Sequence, residues 1–213
     1  MGRNRLNQGE PNMKTGPKYK IARRLGAPVF EKTQTPKYTL SLARKEKNSK
    51  RSKRPASEFG QELLEKQKAR YTYGLGERQF SNYAAKALGT KDPVQKLFSM
   101  LETRLDNVLF RAGLAKTRAQ ARQIASHGHA HLNGKRVTIP SILLKKGDKV
   151  SIRPGSASSA LFGEVEERMK TVTVPLWLKV DQATREAVVE GELVYVSQEH
   201  VFDLGTVIEF YNR

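Results

Sequence analysis

From Leu101 to Arg153 the chain reads LETRLDNVLFRAGLAKTRAQARQIASHGHAHLNGKRVTIPSILLKKGDKVSIR, and that pattern leaves few folds open. Leu101, Leu105, Val108, Leu109 and Ala112 recur at helical spacing, and Gly113 stands where a helix ends. Thr117 and Gln120 have capping-box spacing, which predicts a second helix starting at Thr117. Asn133-Gly134 lies between His131-Leu132 and Lys135-Arg136-Val137 and takes positive φ readily, so it predicts a tight hairpin. Val150 to Arg153 alternates as a further strand after Gly147-Asp148. The stretch therefore predicts two short helices leading into a small sheet.

Its cations fall on one side. Arg104 and Arg111 are seven apart in the first predicted helix, and Arg118 and Arg122 are four apart in the second, so each pair returns to one helical face. Residues 101–153 hold 11 Lys+Arg against 3 Asp+Glu. Surface charge is ordinarily a solvated face. An arginine face without matching acids, beside a basic hairpin, instead favours a polyanion as partner.

The runs LETRLDNVLFRAG, TRAQARQIASHG and HLNGKRV resemble the RNA-binding module named after small-subunit ribosomal protein four. The resemblance implies two helices and a small sheet that grip structured RNA. The same module is appended to RNA-modifying enzymes and to a tRNA synthetase, so the rest of the chain has to decide between them.

Charge narrows the partner. The 213 residues carry a formal net charge of +18, with 38% hydrophobic residues, a pI near 10.2 and a mean hydropathy of -0.61. Basic groups release the counterions condensed on nucleic acid, which favours RNA. A membrane is disfavoured: no basic amphipathic helix with an aromatic face stands out, and no apolar run reaches about 18 residues. The N-terminus lacks the apolar core of a secretory signal, and a transit peptide is a weaker reading of its basic start. With no cysteine, disulfides and thiolate chemistry are excluded. Residues 1–60 hold 16 basic and 4 acidic groups, whereas residues 154–213 hold 5 and 10. The RNA-facing part is thus expected in the first three quarters.

Met1 to Pro55 is poor in apolar residues and is interrupted by Gly16-Pro17 and Ala27-Pro28, so residues 1–56 read as a basic extension that orders on RNA. A nuclear-localisation reading of the Arg44–Arg54 block is weak. Ser57 is expected to cap a helix bearing Phe59, Leu63 and Leu64. After a break at Gly74 and Gly76, Phe80, Tyr83, Ala84 and Ala87 share a second helical face. Asp92-Pro93 opens the helix carrying Leu97, Phe98 and Leu101. Later, Leu161 to Met169 reads as a short acidic helix, Thr171 to Asp181 as strand, and Glu186 to Val196 as one or two strands. Gly205 to Tyr211 is strand-like in composition.

SEFGQELLEKQKARYTYG and ERQFSNYAAKA resemble the N-terminal signature of small-subunit ribosomal protein four itself, a segment that enzyme-appended modules lack. The chain is therefore identified as a member of that family, in a cysteine-free form; many relatives bind zinc through cysteines in the N-terminal region. The resemblance implies an α+β fold. A helical domain over residues 57–99, completed by a C-terminal helix at about 198–213, would receive an RNA-binding domain inserted at 100–197, of two short helices and a mostly antiparallel sheet. It implies a structural constituent of the cytoplasmic small ribosomal subunit that binds the five-helix junction of the 5′ domain of 16S-type ribosomal RNA early in assembly. Its other partners would be messenger RNA where it enters the subunit, ribosomal protein five, whose interface affects decoding accuracy, and ribosomal protein three. The alternative is a stand-alone RNA-binding regulator or an RNA-modifying enzyme. A basic chaperone without RNA specificity is a third reading.

Duplex RNA is read through shape, phosphates and 2′-hydroxyls. Arg104, Arg111, Lys116, Arg118, Arg122, Lys135 and Arg136 are the expected phosphate contacts of the module, with Thr117, Gln123, Ser126, His127 and Asn133 fixing register. Lys66, Gln67, Lys68, Arg70 and Arg78 are expected on a second RNA segment, with Tyr73 as a further contact for which stacking on a base stands behind a core or phosphate-contacting role. Arg51, Lys53 and Arg54 match the family's basic stretch near incoming messenger. Tyr71, Phe80, Tyr83 and Trp177 read as core. His127, His129 and His131 would share a strand face and suggest zinc or nickel. No acid or cysteine lies nearby to complete a shell, so no metal or cofactor is expected. Catalysis finds little support: Asp106 suits a salt bridge or an RNA contact, and Glu164, Glu166 and Glu167 suit a solvated face.

Overall fold

The computed structural model describes residues 15–47 and 57–213. They divide into two compact units: one gathers the described residues up to Phe98 with Val194–Arg213, the other is Ser99–Leu193. The helical expectation for the first unit holds, and its origin is local. Helix α1 (Lys18–Leu25) ends at Gly26 in the left-handed region, and α2 spans Pro36–Lys47. Ser57 caps α3 (Glu58–Tyr73) by accepting from Gly60 N–H at 3.2 Å. Gly74 ends α3 at φ 64°, and α4 (Glu77–Leu88) buries Phe80, Tyr83, Ala84 and Ala87 as its spacing requires.

Two expectations are corrected here. Residues 18–47 are not an unfolded extension. Ala22, Leu25, Val29, Phe30 and Tyr38 form a small core against Leu64 and Tyr71 of α3, because short amphipathic turns pool side chains that are sparse in the sequence. Secondly, α3 turns Glu62, Lys66, Ala69 and Tyr73 inward, while Phe59 remains 52% exposed. A buried polar stripe is possible because acids and bases meet across helices there.

At the C-terminus, α9 (Leu204–Asn212) replaces the strand suggested by composition, as the family resemblance implies. Asp203 accepts from Gly205 and Thr206 N–H at 3.1 Å, which organises the first turn. Leu204, Val207 and Ile208 then share the buried face. Helix α9 lies on α3 and α4, with the rings of Phe59 and Phe210 5.5 Å apart and those of Phe80 and Tyr211 6.3 Å apart.

In the second unit the continuous helix expected from Leu101 to Ala112 is broken. Helix α5 (Pro93–Glu102) stops, Arg104 adopts ψ 139°, and α6 (Leu105–Arg111) starts again. The break is stabilised by pairing with a distant loop: Leu105 N–H donates to Ile142 O, Asp106 N–H to Pro140 O and Leu144 N–H to Thr103 O. Those acceptors are invisible to helical periodicity. Thr117 caps α7 (Arg118–Ser126) by accepting from Gln120 N–H at 3.1 Å. The Gln120 amide accepts from Lys116 N–H instead, so the capping box is closed one residue early.

Strands β1 (Ala130–Leu132) and β2 (Lys135–Val137) form the predicted hairpin, with Asn133 at φ 50° and Gly134 at φ 77°. The sheet is completed by β3 (Lys149–Ile152), β4 (Leu178–Asp181) and β5 (Glu186–Val189), all antiparallel in the order β2-β1-β3-β5-β4. Strand structure over 171–177 and 190–196 is not formed. The acidic helix is shorter than expected: α8 spans Val165–Thr171. The core joins Leu105, Val108 and Leu109 to Ile124, Val150, Phe162, Met169, Trp177 and Ala187. No helix among the described residues is long and apolar enough to cross a membrane.

Candidate nucleic-acid interface

Helix α6 brings Asp106 and Asn107 inward beside Glu102, and around these three the predicted arginine face is assembled. Asp106 is 2% exposed. It accepts from Arg104 Nε and Nη2 and from Arg122 Nε, each at 2.9 Å. Glu102 takes Arg111 in a two-pronged pair at 2.8 and 2.9 Å and also accepts from the Asn107 amide. Asn107 Oδ1 in turn accepts from Arg118 Nε at 2.8 Å, and the Arg118 guanidinium lies 4.4 Å from the centre of the Phe110 ring. The face expected to be unpaired is therefore one side of a partly buried lattice tying α6 to α7.

Arg104 is corrected outright. It is 1% exposed and offers no surface to a phosphate. Arg111, Arg118 and Arg122 keep an outward edge while holding their partners. Two of the three acids of residues 101–153 are consumed in this lattice, and the third, Asp148, accepts from Asn133 Nδ2 at 2.8 Å and from Lys145 N–H. Glu102 and Asp106 turn inward and Asp148 is tied to the hairpin, so the outer surface is left predominantly basic.

Lys116, Gln123, Ser126, His127, Asn133, Lys135 and Arg136 are all exposed, along α7 and the β1–β2 hairpin. Thr117 is half-buried in its capping role. Arg136 reaches back to the end of α7, its Nη2 3.4 Å from His127 O. Asn133 is less available: both ends of its amide are occupied, by Asp148 and by Lys149 N–H. Lys145 and Lys146, exposed in the loop before β3, extend the basic surface. Sequence periodicity missed them because they lie on no helix; twin lysines ahead of Gly147-Asp148 were the available signal.

The histidines do not share a strand face. His127 ends α7, β1 begins only at Ala130, and His129 Nδ1 lies 2.9 Å from Ser156 Oγ. Burial, then the nearby charges of Arg153, His127 and Arg136, hold the His129 imidazole below its ordinary pKa. Among the described residues no group of His, Cys, Asp and Glu is arranged to hold a metal.

The second expected set is largely structural. Lys66 is 6% exposed and donates to Glu77 at 2.7 Å, with its ammonium 4.5 Å from the centre of the Phe210 ring. Lys68 pairs with Glu65 at 2.6 Å. Gln67 accepts from Arg70, which also faces Glu77 and lies against the ring of Tyr71. Tyr73 is 2% exposed, packed 5.9 Å from Phe202, so base stacking is excluded for it. Arg78 is exposed on the first turn of α4. Arg51, Lys53 and Arg54 lie outside the described residues. Phe80, Tyr83 and Trp177 are buried, as core readings require.

Comparison with known proteins gives the class first. The S4 domain matches residues 103–150, and the Ribosomal protein S4/S9 N-terminal domain matches residues 13–105. The chain is thus an S4-domain protein that also carries the N-terminal domain of the ribosomal members. Small ribosomal subunit protein uS4 of Chlorobium phaeovibrioides is 36% identical, covering 91% of this chain and 96% of the relative. The uS4 proteins of Latilactobacillus sakei (39% identity, 93% and 98% coverage) and Lachnospira eligens (41%, 78% and 85%) are similar along most of their lengths. The chain belongs to the uS4 family of small ribosomal subunit proteins.

Proposed function

We propose that this chain is a structural, non-catalytic constituent of the small ribosomal subunit that binds 16S-type ribosomal RNA through α7 and the β1–β2 hairpin. One observation carries the reading: two of the three acids of this region, Glu102 and Asp106, are drawn into the α6–α7 lattice, whereas Lys116, Lys135, Arg136, Lys145 and Lys146 face outward. Such a surface neutralises phosphates and follows the contour of a folded RNA without reading base edges. Gln123, Ser126 and His127, exposed on the same side, supply hydrogen bonds that fix register.

For the finer role we propose the following reading, which membership of the family supports. The RNA site is the five-helix junction of the 5′ domain, bound early in assembly of the cytoplasmic ribosome. The chain also borders the path of incoming messenger RNA and meets ribosomal proteins five and three, influencing accuracy. Arg51, Lys53 and Arg54 belong to the contacts near incoming messenger, and Arg78 to the contact of the helical domain with a second RNA segment.

The test is competition binding to 5′-domain RNA at physiological salt, against excess unrelated structured RNA of equal length. The complex is expected to survive. Changing Lys135 and Arg136 together to Ala is expected to weaken it and reduce the salt slope by about two phosphate contacts, ~0.7–0.9 per contact. These positions are preferable to Arg118 and Arg122, whose loss would also remove a hydrogen bond to Asn107 Oδ1 and one of the two arginines on Asp106. Loss of the wild-type complex to competitor, or an unchanged slope in the variant, would refute the assignment.

A further inference from the structure

We propose that the RNA surface continues beyond the S4 motif into a pocket between α6 and α8 that binds a phosphate group, with Arg168 as its principal new contact. This rests on the RNA-binding reading above. The pocket, of about 360 Å³, is lined by Phe110, Arg111, Lys116, Arg168 and Thr173, together with apolar neighbours. Three cations and a hydroxyl around one aromatic wall suit a phosphate with its attached sugar.

The arrangement is built rather than incidental. Gly113, at φ 76°, lets α8 approach so closely that a Cβ there would lie 3.1 Å from Met169 Cα. Val165 and Met169 are buried and anchor α8 at that distance. Arg168, next to Met169, is thereby fixed beside the end of α6. Its side chain is 16% exposed, yet its Nη1 is buried with no hydrogen-bond acceptor among the described residues. The nearest carboxylate, Glu164, stands 3.8 Å from Nη2, too far for a hydrogen bond, and is itself 79% exposed. A buried charged donor without an acceptor is costly. A phosphate oxygen in the pocket, met by a rotation of the guanidinium, supplies that acceptor. Arg111 is already half neutralised by Glu102, so Arg168 and the exposed Lys116 provide the excess charge. Lys116 immediately precedes the cap of α7, which makes the pocket continuous with the proposed face.

Arg168→Met keeps the packed stem and removes the charge; Trp177 emission, from the same unit, verifies folding. Binding to 5′-domain RNA is expected to weaken about tenfold, as for loss of one charge-assisted hydrogen bond, with the salt slope reduced by about one contact. Arg168→Lys is expected to recover part of the affinity, and Lys170→Ala, exposed on the same helix, to change neither quantity. An unchanged slope for Arg168→Met, while Lys135→Ala/Arg136→Ala lowers it, overturns the pocket alone. Equal effects of Arg168→Met and Lys170→Ala also overturn it, since diffuse charge would then suffice. The Arg168 Nε–H NMR resonance separates two sources of the ligand. A shift with RNA alone identifies backbone phosphate, whereas a shift with inorganic phosphate identifies a free-anion site that stands even if the RNA reading fails. No shift with either overturns the proposal.

Discussion

Asp106 holds two arginines at once, and only one of them reaches solvent. Arg104 is buried and donates from Nε and Nη2 to the two oxygens of this carboxylate, whereas Arg122 keeps 12% of its side chain exposed. Asp106→Asn leaves a buried guanidinium without its counter-charge, which destabilises by about 3–5 kcal/mol. Arg122→Ala leaves the Arg104 pair intact and is expected to lose only about 1–3 kcal/mol. Urea unfolding followed by the single tryptophan, Trp177, measures both, and equal losses would mean that Asp106 serves Arg122 alone. The spacing of Arg104, Arg111, Arg118 and Arg122 was legible in the sequence; for Asp106 the sequence left a salt bridge or an RNA contact open, and the structure forms the salt bridge. Their pairing was not. Glu102 and Asp106 lie on the two sides of a helix break, and a continuous helix would have aimed them elsewhere.

Elements were legible where a local signal fixed them. Ser57, Thr117 and Asn133-Gly134 each dictate a boundary through one hydrogen bond or one pair of dihedrals, and each boundary is where the pattern puts it. The break at Arg104 and the cluster of residues 18–47 depend on partners far along the chain, which periodicity does not encode. Helix α9 lies between these cases: Asp203 and the Leu204, Val207, Ile208 spacing signal a helix, but β-branched and aromatic composition outweighed them. What holds α9 also gives it a pH dependence. Burial raises the Glu77 pKa, but the Lys66 hydrogen bond and charge, the Tyr211 hydroxyl and Arg70 outweigh it, so the carboxyl lies below its ordinary value. Burial and the Glu77 charge push the Tyr211 phenol up, which keeps it a donor. A lowered folded-state pKa means that the stabilisation is complete above the unfolded value of about 4.3 and is lost as pH falls through the folded one. Protection of α9 amides against exchange is therefore expected to drop below about pH 4.5. Glu77→Gln should flatten that drop, leaving the part due to Asp203, whose pKa is also held low. An identical drop in the variant would remove Glu77 from the mechanism.

Across the whole chain, charge is sorted by purpose. The +18 total conceals an excess of acids in residues 154–213 and a module in which two of three acids are folded inward, so cations are concentrated where structured RNA is proposed to bind. Binding linked to folding gives this distribution a measurable consequence. RNA at about 100 times its dissociation constant stabilises the folded state by ~2.7 kcal/mol, provided the unfolded chain does not compete for it. Because much of that affinity comes from released counterions, it falls as a power of the salt concentration set by the number of phosphates neutralised. Thermal unfolding read by Trp177 is thus expected to shift upward with 5′-domain RNA at ~0.1 M salt and to return to the RNA-free value near ~0.5 M, where the Debye length has fallen to roughly half. Lys135→Ala/Arg136→Ala should lose the shift at lower salt than the wild type, since fewer contacts leave less affinity to screen. A gain that survives ~0.5 M salt would assign the affinity to shape and neutral hydrogen bonds, and the inward turning of Glu102 and Asp106 would then serve packing alone.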